Sequence, residues 1–361
     1  MHVLSSARAH LAATCLAFYA LGCDALLASF RARQYLRVNA AATAEARDVT
    51  SDSLTRLDEA FTRCREKKEA AFLAFVTAGY PHPDETVGQL LALEKGGADV
   101  IELGVPFSDP QADGATIQAT NQVALSFGVD IDMCLRMVEE ARSRGLTKPV
   151  VLMGYYNPYL QYGLEALVSK AAEAGVDGFI VVDLPPEEGT SFINLCRTKA
   201  LSFVPIIAPT TTDARMKYLA SAASSFIYCV SVTGVTGSRG SVAADLEKFV
   251  GRIRKQTNLP LAVGFGISSP EQVKEVTSVA DGVVVGSAIL NAIEAAPRDA
   301  NPASKFAALE AFIATLKEGT LGQASSAQSP EFRQVPSLKV VPFSTHVSGF
   351  PLLCDILPSC L

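Results

Sequence analysis

Three carboxylates, Glu102, Asp109 and Asp113, lie in the segment IELGVPFSDPQADG, residues 101–114. Glu102 lies within an apolar run, and Asp113 lies in the polar stretch after it. A carboxylate among apolar residues costs free energy unless it is hydrogen-bonded, paired or neutral. Burial raises the pKa of such a group, so it can donate and accept protons near neutral pH. Glu102 could therefore protonate one substrate atom while Asp113 holds another, unless Glu102 is a helix cap or ion-pair partner and Asp113 a turn residue.

The residue inventory limits the other chemistries that the chain could perform. Of four histidines only His82 lies in the body of the chain, which nearly excludes a histidine metal site or a Ser-His-Asp triad. A net charge of -6 without a basic stripe argues against nucleic acid as a partner. The cysteines lack CxxC spacing, and we interpret those in the body as reduced core thiols rather than disulfides. They are Cys64, Cys134, Cys196 and Cys229.

Eight short apolar runs divide the middle of the chain, and helical patterns separate most of them. The runs are near-continuous rather than alternating, which is typical of parallel strands buried on both faces. Eight strand-helix repeats predict an α/β fold, a (β/α)8 TIM barrel. The alternative, a doubly wound open sheet, needs fewer runs and normally has a glycine-rich turn after its first strand, which is missing here. The runs cover residues 72–76, 99–103, 149–153, 178–182, 203–207, 226–230, 261–265 and 282–286.

The residues just after these runs are the expected site, because barrel enzymes bind substrates at the carboxyl ends of their strands. Two connections, 104–132 and 231–245, are longer than the others, and long loops in a compact domain are usually functional. Glycines follow the sixth, seventh and eighth runs, where backbone N–H groups can hold an anion unless the glycines only make tight turns. The predicted phosphate donors are Gly237, Gly266, Gly286 and Ser287.

Several segments together resemble the α subunit family of tryptophan synthase. They are AFVTAGYP (74–81), ELGVPFSDPQADGATIQ (102–118), VLMGYYNP (151–158), GVDGFIVVDLPPEE (175–188), APTTTD (208–213), VSVTGVTGSRG (230–240), GFGIS (264–268) and VGSAI (285–289). The resemblance covers residues 55–320, and the second segment combined with TGVTG is its most specific part.

The resemblance implies a carbon-carbon lyase that acts in the biosynthesis of tryptophan, an aromatic amino acid. Its reaction would be the retro-aldol cleavage of indole-3-glycerol phosphate to indole and glyceraldehyde 3-phosphate. By resemblance, Glu102 is the acid/base that protonates indole C3 and assists deprotonation of the glycerol hydroxyl, and Asp113 accepts the indole N–H. The resemblance also implies substrate contacts by Phe75, Leu152 and Ile180 around the indole and by Tyr228 along the glycerol chain. Tyr155 is a further implied contact, and Thr236 would close onto Asp113. The four phosphate donors complete the set.

The resemblance also implies the cofactors and partners. No cofactor or metal is expected in this chain, and pyridoxal phosphate is expected in a β subunit partner within an α2β2 heterotetramer. Gln111 and Ala115 depart from the family pattern in the loop that faces the β subunit. Two alternatives remain: a stand-alone lyase that releases free indole, and a catalytically inactive subunit that only activates its partner.

The two ends of the chain fall outside the barrel pattern. Residues 1–50 combine a short apolar run with a basic, acid-poor stretch, which is typical of a targeting or transit segment. They indicate a plastid destination, and otherwise a cytoplasmic one, with no membrane contact in the mature form. The alternative is an extra amphipathic helix packed on the domain. Residues 321–361 are rich in Ser and Pro, and we expect a disordered tail without chemistry.

Overall fold

The computed structural model describes residues 54–231, 239–264, 266–297 and 301–322. The predicted targeting segment therefore lies outside the described residues, as does nearly all of the predicted tail. Two predicted site residues, Thr236 and Gly237, also lie outside them.

The described strands form one parallel sheet whose order confirms the predicted TIM barrel. Strand β1 pairs with β2 on one side and with β9 on the other. Strands β5 and β6 are two parts of one apolar run, separated at Pro205, which has no backbone N–H to donate. Because β5 pairs with β4 and β6 with β7, this run completes the circle. The strands are β1 Ala71–Thr77, β2 Val100–Gly104, β3 Val150–Gly154, β4 Gly178–Val181, β5 Ser202–Val204, β6 Ile206–Ile207, β7 Ile227–Val230, β8 Leu261–Gly264 and β9 Gly282–Val285.

Helices follow the strands as the sequence pattern predicts. Thr212 and Ser269 cap two of them through their hydroxyls, as expected for these residue types before a helix. The helices are α1 Arg56–Glu66, α2 Thr86–Lys95, α3 Ala115–Ser126, α4 Ile131–Ser143, α5 Tyr156–Tyr162, α6 Leu164–Ala174, α7 Pro186–Thr198, α8 Asp213–Ala222, α9 Arg239–Arg254, α10 Pro270–Thr277, α11 Ser287–Ala295 and α12 Pro302–Lys317, with short 3-10 turns at Pro83–Glu85 and Glu318–Thr320.

Several helices, among them α1, α3, α5, α9 and α12, were not among the predicted helical patterns. Helix α3 was interpreted as part of the long loop 104–132, because its buried face consists of Thr120, Asn121 and Ala124 and carries no apolar stripe. Thr120 is held by its hydroxyl, 2.7 Å from that of Thr77 at the end of β1. This polar contact gives no hydrophobic signal of the kind that sequence reading relies on.

Strand side chains alternate between two apolar layers. The outer layer packs between sheet and helices, and the inner layer fills the barrel. Helix α1 contributes Leu57, Phe61 and Cys64 to the inner layer, where the Phe61 ring lies 5.1 Å from that of Phe226. Since Phe226 precedes β7, α1 covers the N-terminal end of the barrel. Cys64 and the other three body cysteines are free and buried, as predicted.

Three aspartates stabilise the same N-terminal end. Each precedes a strand, and each accepts an N–H from the start of a neighbouring strand while contacting a Lys or Arg side chain. They are Asp99 with Phe72 and Lys317, Asp177 with Val150 and Arg142, and Asp281 with Leu261 and Arg254.

Candidate active site

Glu102 occupies the third position of β2 and is completely buried. Its neighbours in register are Phe75 on β1 and Val151 on β3. Among the described residues, neither carboxyl oxygen of Glu102 has a hydrogen-bond partner. Burial raises the pKa of Glu102 to about 8, so the group is mostly protonated at neutral pH. In the described part of the chain it is thus neither a cap nor an ion-pair partner, and it can donate a proton.

Asp113 lies in the loop between β2 and α3 and is partly buried. Its backbone N–H donates to Pro110 at 3.0 Å, so Asp113 does close a turn. Burial raises the pKa of its carboxyl to about 6, although a hydrogen bond from Tyr155 opposes the rise. The group is therefore mostly ionised at pH 7 and can accept a hydrogen bond. A turn position and a chemical role are compatible at this residue.

Tyr155 fixes the loop that carries Asp113. It follows β3 directly, and its ring packs on Phe107 with centroids 5.1 Å apart. The hydroxyl accepts the N–H of Ala112 at 3.0 Å and also bonds to the Asp113 carboxylate. Both contacts of the hydroxyl thus go to the loop.

Tyr228 brings a third polar group towards the two carboxyls. It belongs to the inner layer of the barrel, on β7. Burial raises its pKa, and the charges of Glu102 and Asp113 raise it further, so both carboxyls lie within electrostatic reach of Tyr228. Gly264 leaves room for the phenol, because a Cβ there would lie 2.5 Å from the Tyr228 hydroxyl.

The apolar residues divide between the two layers, which corrects one prediction. Ile180 belongs to the inner layer, and Phe75 lies beside Glu102 in the adjacent strand. Leu152 instead packs in the outer layer between sheet and helices. Successive residues of a strand point to opposite faces, so its neighbour Met153 faces the barrel interior. The prediction of Leu152 as a substrate contact is therefore wrong by one position.

The described glycines and serine of the predicted phosphate site lie at two strand ends. Gly266 has a φ of 71°, a left-handed conformation that favours glycine. Gly286 and Ser287 begin α11, where no side chain caps the free backbone N–H groups. A helix start with unoccupied donors is suited to an anion. Their role stays a prediction.

The described residues contain no cluster of three or more His, Cys, Asp or Glu side chains that could hold a metal ion. Within the same ranges, no helix has the length and apolarity needed to cross a membrane.

Asp183 lies just after an apolar run, where the site is expected, but the predicted catalytic and binding residues did not include it. Its carboxylate accepts the N–H of Tyr156 at 2.7 Å, from the end of β4 to the start of α5. An acidic residue directly after an apolar run was the only signal, and the partner on the next strand could not be foreseen. Met153 had no such signal, because the sequence alone does not show which face of β3 points into the barrel.

Comparison with known proteins decides the family. The family profile described as tryptophan synthase alpha chain matches residues 61–320. The alpha chain of Roseiflexus sp. (strain RS-1) is 48% identical over 244 residues, covering 68% of this chain and 94% of that protein. The tryptophan synthase of Saccharomyces cerevisiae is 49% identical over 243 residues, which are 67% of this chain but only 34% of the yeast protein. The solved structure of tryptophan synthase subunit alpha from Legionella pneumophila has a TM-score of 0.68 at 36% identity, covering 74% of this chain and 99% of that one.

The chain belongs to the tryptophan synthase alpha chain family. Membership confirms the resemblance found in the sequence and gives the chain the α-subunit role in tryptophan biosynthesis. A tryptophan synthase alpha chain needs no cofactor of its own, and the pyridoxal phosphate lies in the β subunit. The match to the family profile begins inside α1, which contributes to the inner layer of the barrel.

Proposed function

We propose that this chain cleaves indole-3-glycerol phosphate by a retro-aldol reaction, releasing indole and glyceraldehyde 3-phosphate. The observation that carries the proposal is Glu102, a protonated carboxyl without a partner among the described side chains of the barrel interior. A carbon atom of an aromatic ring is a weak base, so its protonation requires an acid that is still protonated near neutral pH. Burial keeps Glu102 protonated near neutral pH, so Glu102 meets this requirement.

In the proposed reaction Glu102 handles both protons. Its carboxyl gives a proton to indole C3, which places a positive charge on the ring. The carboxylate that remains takes the proton of the hydroxyl on the adjacent glycerol carbon. The carbon-carbon bond then breaks, its electron pair returns to the ring, and the hydroxyl becomes the aldehyde carbonyl. Asp113 accepts the indole N–H and stabilises the positive charge of the intermediate.

Different residues of the barrel are proposed to bind the indole, the glycerol chain and the phosphate of the substrate. Phe75, Met153 and Ile180 would pack around the indole, with Met153 replacing Leu152 in this role. Tyr228 would lie by the glycerol chain. The phosphate would bind to backbone N–H groups of Gly266, Gly286 and Ser287, joined by Gly237. Thr236 would close onto Asp113 once substrate is bound.

We further propose that a β subunit binds at the loop before α3 to form an α2β2 heterotetramer. Gln111 and Ala115, which depart from the family pattern there, are both exposed. Copurification with the β subunit, and indole production with and without it, test this partner. Indole release that is unchanged by the β subunit would favour a stand-alone lyase.

The proposed destination of the chain is the plastid, through residues 1–50. The proposal rests on their basic, acid-poor composition around an apolar run. A fluorescent reporter fused to these residues should enter plastids. Retention of the reporter in the cytosol would contradict the proposal.

The decisive test of the reaction is indole release from indole-3-glycerol phosphate by the purified full-length chain. We expect indole and glyceraldehyde 3-phosphate in equal amounts, and their loss in Glu102→Gln. Absence of both products, or full activity in the variant, would overturn the assignment.

A further inference from the structure

Three strand ends meet at the loop that carries Asp113. The loop leaves β2, Tyr155 follows β3, and Asp183 lies two residues beyond β4. Each of the two later residues contacts the element before it: the Tyr155 hydroxyl bonds to the loop at Ala112 and Asp113, and the Asp183 carboxylate bonds to the N–H of Tyr156. The contacts therefore form a continuous chain from β4 to Asp113.

The donors and acceptors in this chain have a fixed direction. The Tyr155 hydroxyl accepts the Ala112 N–H at 3.0 Å, so its single proton remains for the Asp113 carboxylate. A carboxylate that receives a proton donor is stabilised in its ionised form, which is the form that accepts an indole N–H. Tyr155 thus holds the loop at Ala112 and favours the ionised form of Asp113 against the effect of burial.

Asp183 does not contact Asp113 directly but acts through Tyr155. Helix α5 begins at Tyr156 after Tyr155, whose own side chain makes no cap. The Asp183 carboxylate takes over that function from the neighbouring strand, at 2.7 Å from the Tyr156 nitrogen. The peptide that joins Tyr155 to α5 is thereby fixed, and with it the starting point of the Tyr155 side chain.

We propose that Tyr155 and Asp183 are positioning residues of the reaction, which hold the Asp113 carboxylate in place and ionised before substrate binds. This inference rests on the proposed function, because it assigns Asp113 its role at the indole N–H. It reassigns Tyr155 from substrate contact to support of the loop. Asp183, which is exposed, gains a role that its solvent position would not indicate.

The first experiment is Tyr155→Phe, which keeps the ring on Phe107 and removes only the hydroxyl. We expect kcat to fall roughly 10–100-fold, as is common when a reacting group is displaced by about 1 Å. The acid limb of the pH profile should also move upward from about 6, because the pKa of Asp113 rises when its proton donor is lost. The other titratable groups electrostatically linked to this site are Glu102, Tyr228 and Asp183, and none of them bonds to Asp113 in the structure.

The second experiment separates a hydrogen bond from a charge at Asp183. Asp183→Ala removes the acceptor for the Tyr156 N–H and should lower kcat roughly tenfold. Asp183→Asn keeps a carbonyl acceptor and should restore most of the activity. Tyr156→Phe is the matched control, since it removes a neighbouring phenol but keeps the backbone N–H, and it should leave kcat and the pH profile unchanged.

The outcomes distinguish this inference from the proposed function. If Tyr155→Phe keeps the wild-type kcat and acid limb while Glu102→Gln is inactive, the positioning role is wrong and the lyase assignment stands. If wild type releases no indole, the proposed function itself fails. A loss of activity in Tyr155→Phe with an unmoved acid limb would also overturn the claim that Tyr155 keeps Asp113 ionised.

Discussion

Carboxylates lie at both ends of the barrel, and they differ in their partners. At the N-terminal end, Asp99 accepts the Phe72 N–H at 3.0 Å and bonds to Lys317 Nζ at 2.6 Å. Only three positions later on the same segment, Glu102 is more deeply buried and lacks any hydrogen-bond partner in the described part of the chain. A carboxylate with hydrogen-bond and ion-pair partners therefore precedes β2, and a carboxyl without partners among the described residues lies within it.

The difference separates stability from chemistry. A carboxylate with a cation and an N–H around it holds strands and helices together, whereas a buried carboxyl without partners keeps its proton. Barrel enzymes place catalytic groups at the carboxyl ends of the strands and stabilising contacts at the opposite end. In this chain the contrast between Asp99 and Glu102 follows that division.

The largest expected effect is that of Glu102→Gln on turnover. The amide keeps the shape of the side chain but cannot transfer a proton, so kcat should fall by about 10²–10⁴. Binding of glycerol phosphate should persist, because the predicted phosphate donors are untouched. Steady-state kinetics and calorimetric titration measure the two quantities.

The stability of the same variant should move in the opposite direction. The pKa of Glu102 in the folded protein, about 8, lies above its ordinary value of 4.5, so the folded state binds this proton more tightly than the unfolded chain does. Glu102 therefore lowers stability increasingly as pH rises from about 4.5 to about 8, and Gln removes this cost. Melting temperatures of both proteins across that range measure it. A clear drop in melting temperature together with near-normal turnover would make Glu102 structural.

Sequence reading could predict the barrel because its signal is local. Each run of apolar residues fits a strand buried on both faces, and the structure has strands at all eight runs. Only the run interrupted by Pro205 forms two short strands. Helix α3 was missed for the opposite reason, since its contacts with β1 include the hydroxyl pair of Thr120 and Thr77, which no hydrophobic pattern reveals.

The site was only partly predictable. Glu102 was recognisable as a carboxylate inside an apolar strand, and its lack of partners follows from the sheet register on both sides. Leu152 was misplaced because the register of β3 relative to β2 is a tertiary property. The bond of Asp183 to α5 joins residues from adjacent strand ends and exists only after the barrel closes.

The next largest effect concerns the N-terminal end of the barrel, where the aspartates have hydrogen-bond and ion-pair partners. Asp177 accepts bonds from Arg56, Arg142 and the Val150 N–H at 2.6–2.8 Å. Asp177→Asn removes the charge that both guanidinium groups face, and we expect a loss of about 2–3 kcal/mol in the free energy of unfolding. Turnover of the folded variant at 25 °C should stay at the wild-type value. Urea denaturation and a kinetic assay test the two statements.

Glu140→Gln is the control for this variant. Glu140 pairs with Arg144 at 3.4 Å on the exposed face of α4, where such a pair contributes about 0.3–0.5 kcal/mol. Its loss should be scarcely measurable. If folded Asp177→Asn were as inactive as Glu102→Gln, the division between a stabilising and a catalytic end would be wrong.

The pH profile of kcat/KM should show both site carboxyls at once. Activity requires Asp113 ionised, with a pKa of about 6, and Glu102 protonated, with a pKa of about 8. The rate should therefore be highest between these values and fall by up to about tenfold per pH unit on either side. A rate that stays constant up to pH 9 would show that the reaction does not use a protonated Glu102.

The smallest expected effect is that of Tyr228→Phe, and it tests whether Glu102 truly works without a partner. Tyr228 feels the charge of Glu102, but neither oxygen of that carboxyl is hydrogen-bonded to it or to another described residue. Removing the phenol hydroxyl leaves the burial of Glu102 in place, so the alkaline limb near pH 8 should not move. Turnover should fall by less than about tenfold, the equivalent of one ordinary hydrogen bond of about 1 kcal/mol to substrate. Tyr159→Phe is the matched control, because Tyr159 carries a buried hydroxyl without a partner among the described residues and belongs to the outer layer rather than the barrel interior. A shift of the alkaline limb in Tyr228→Phe, absent from Tyr159→Phe, would mean that a neighbouring hydroxyl rather than burial controls the proton of Glu102, and the contrast between the two ends of the barrel would then be one of different partners.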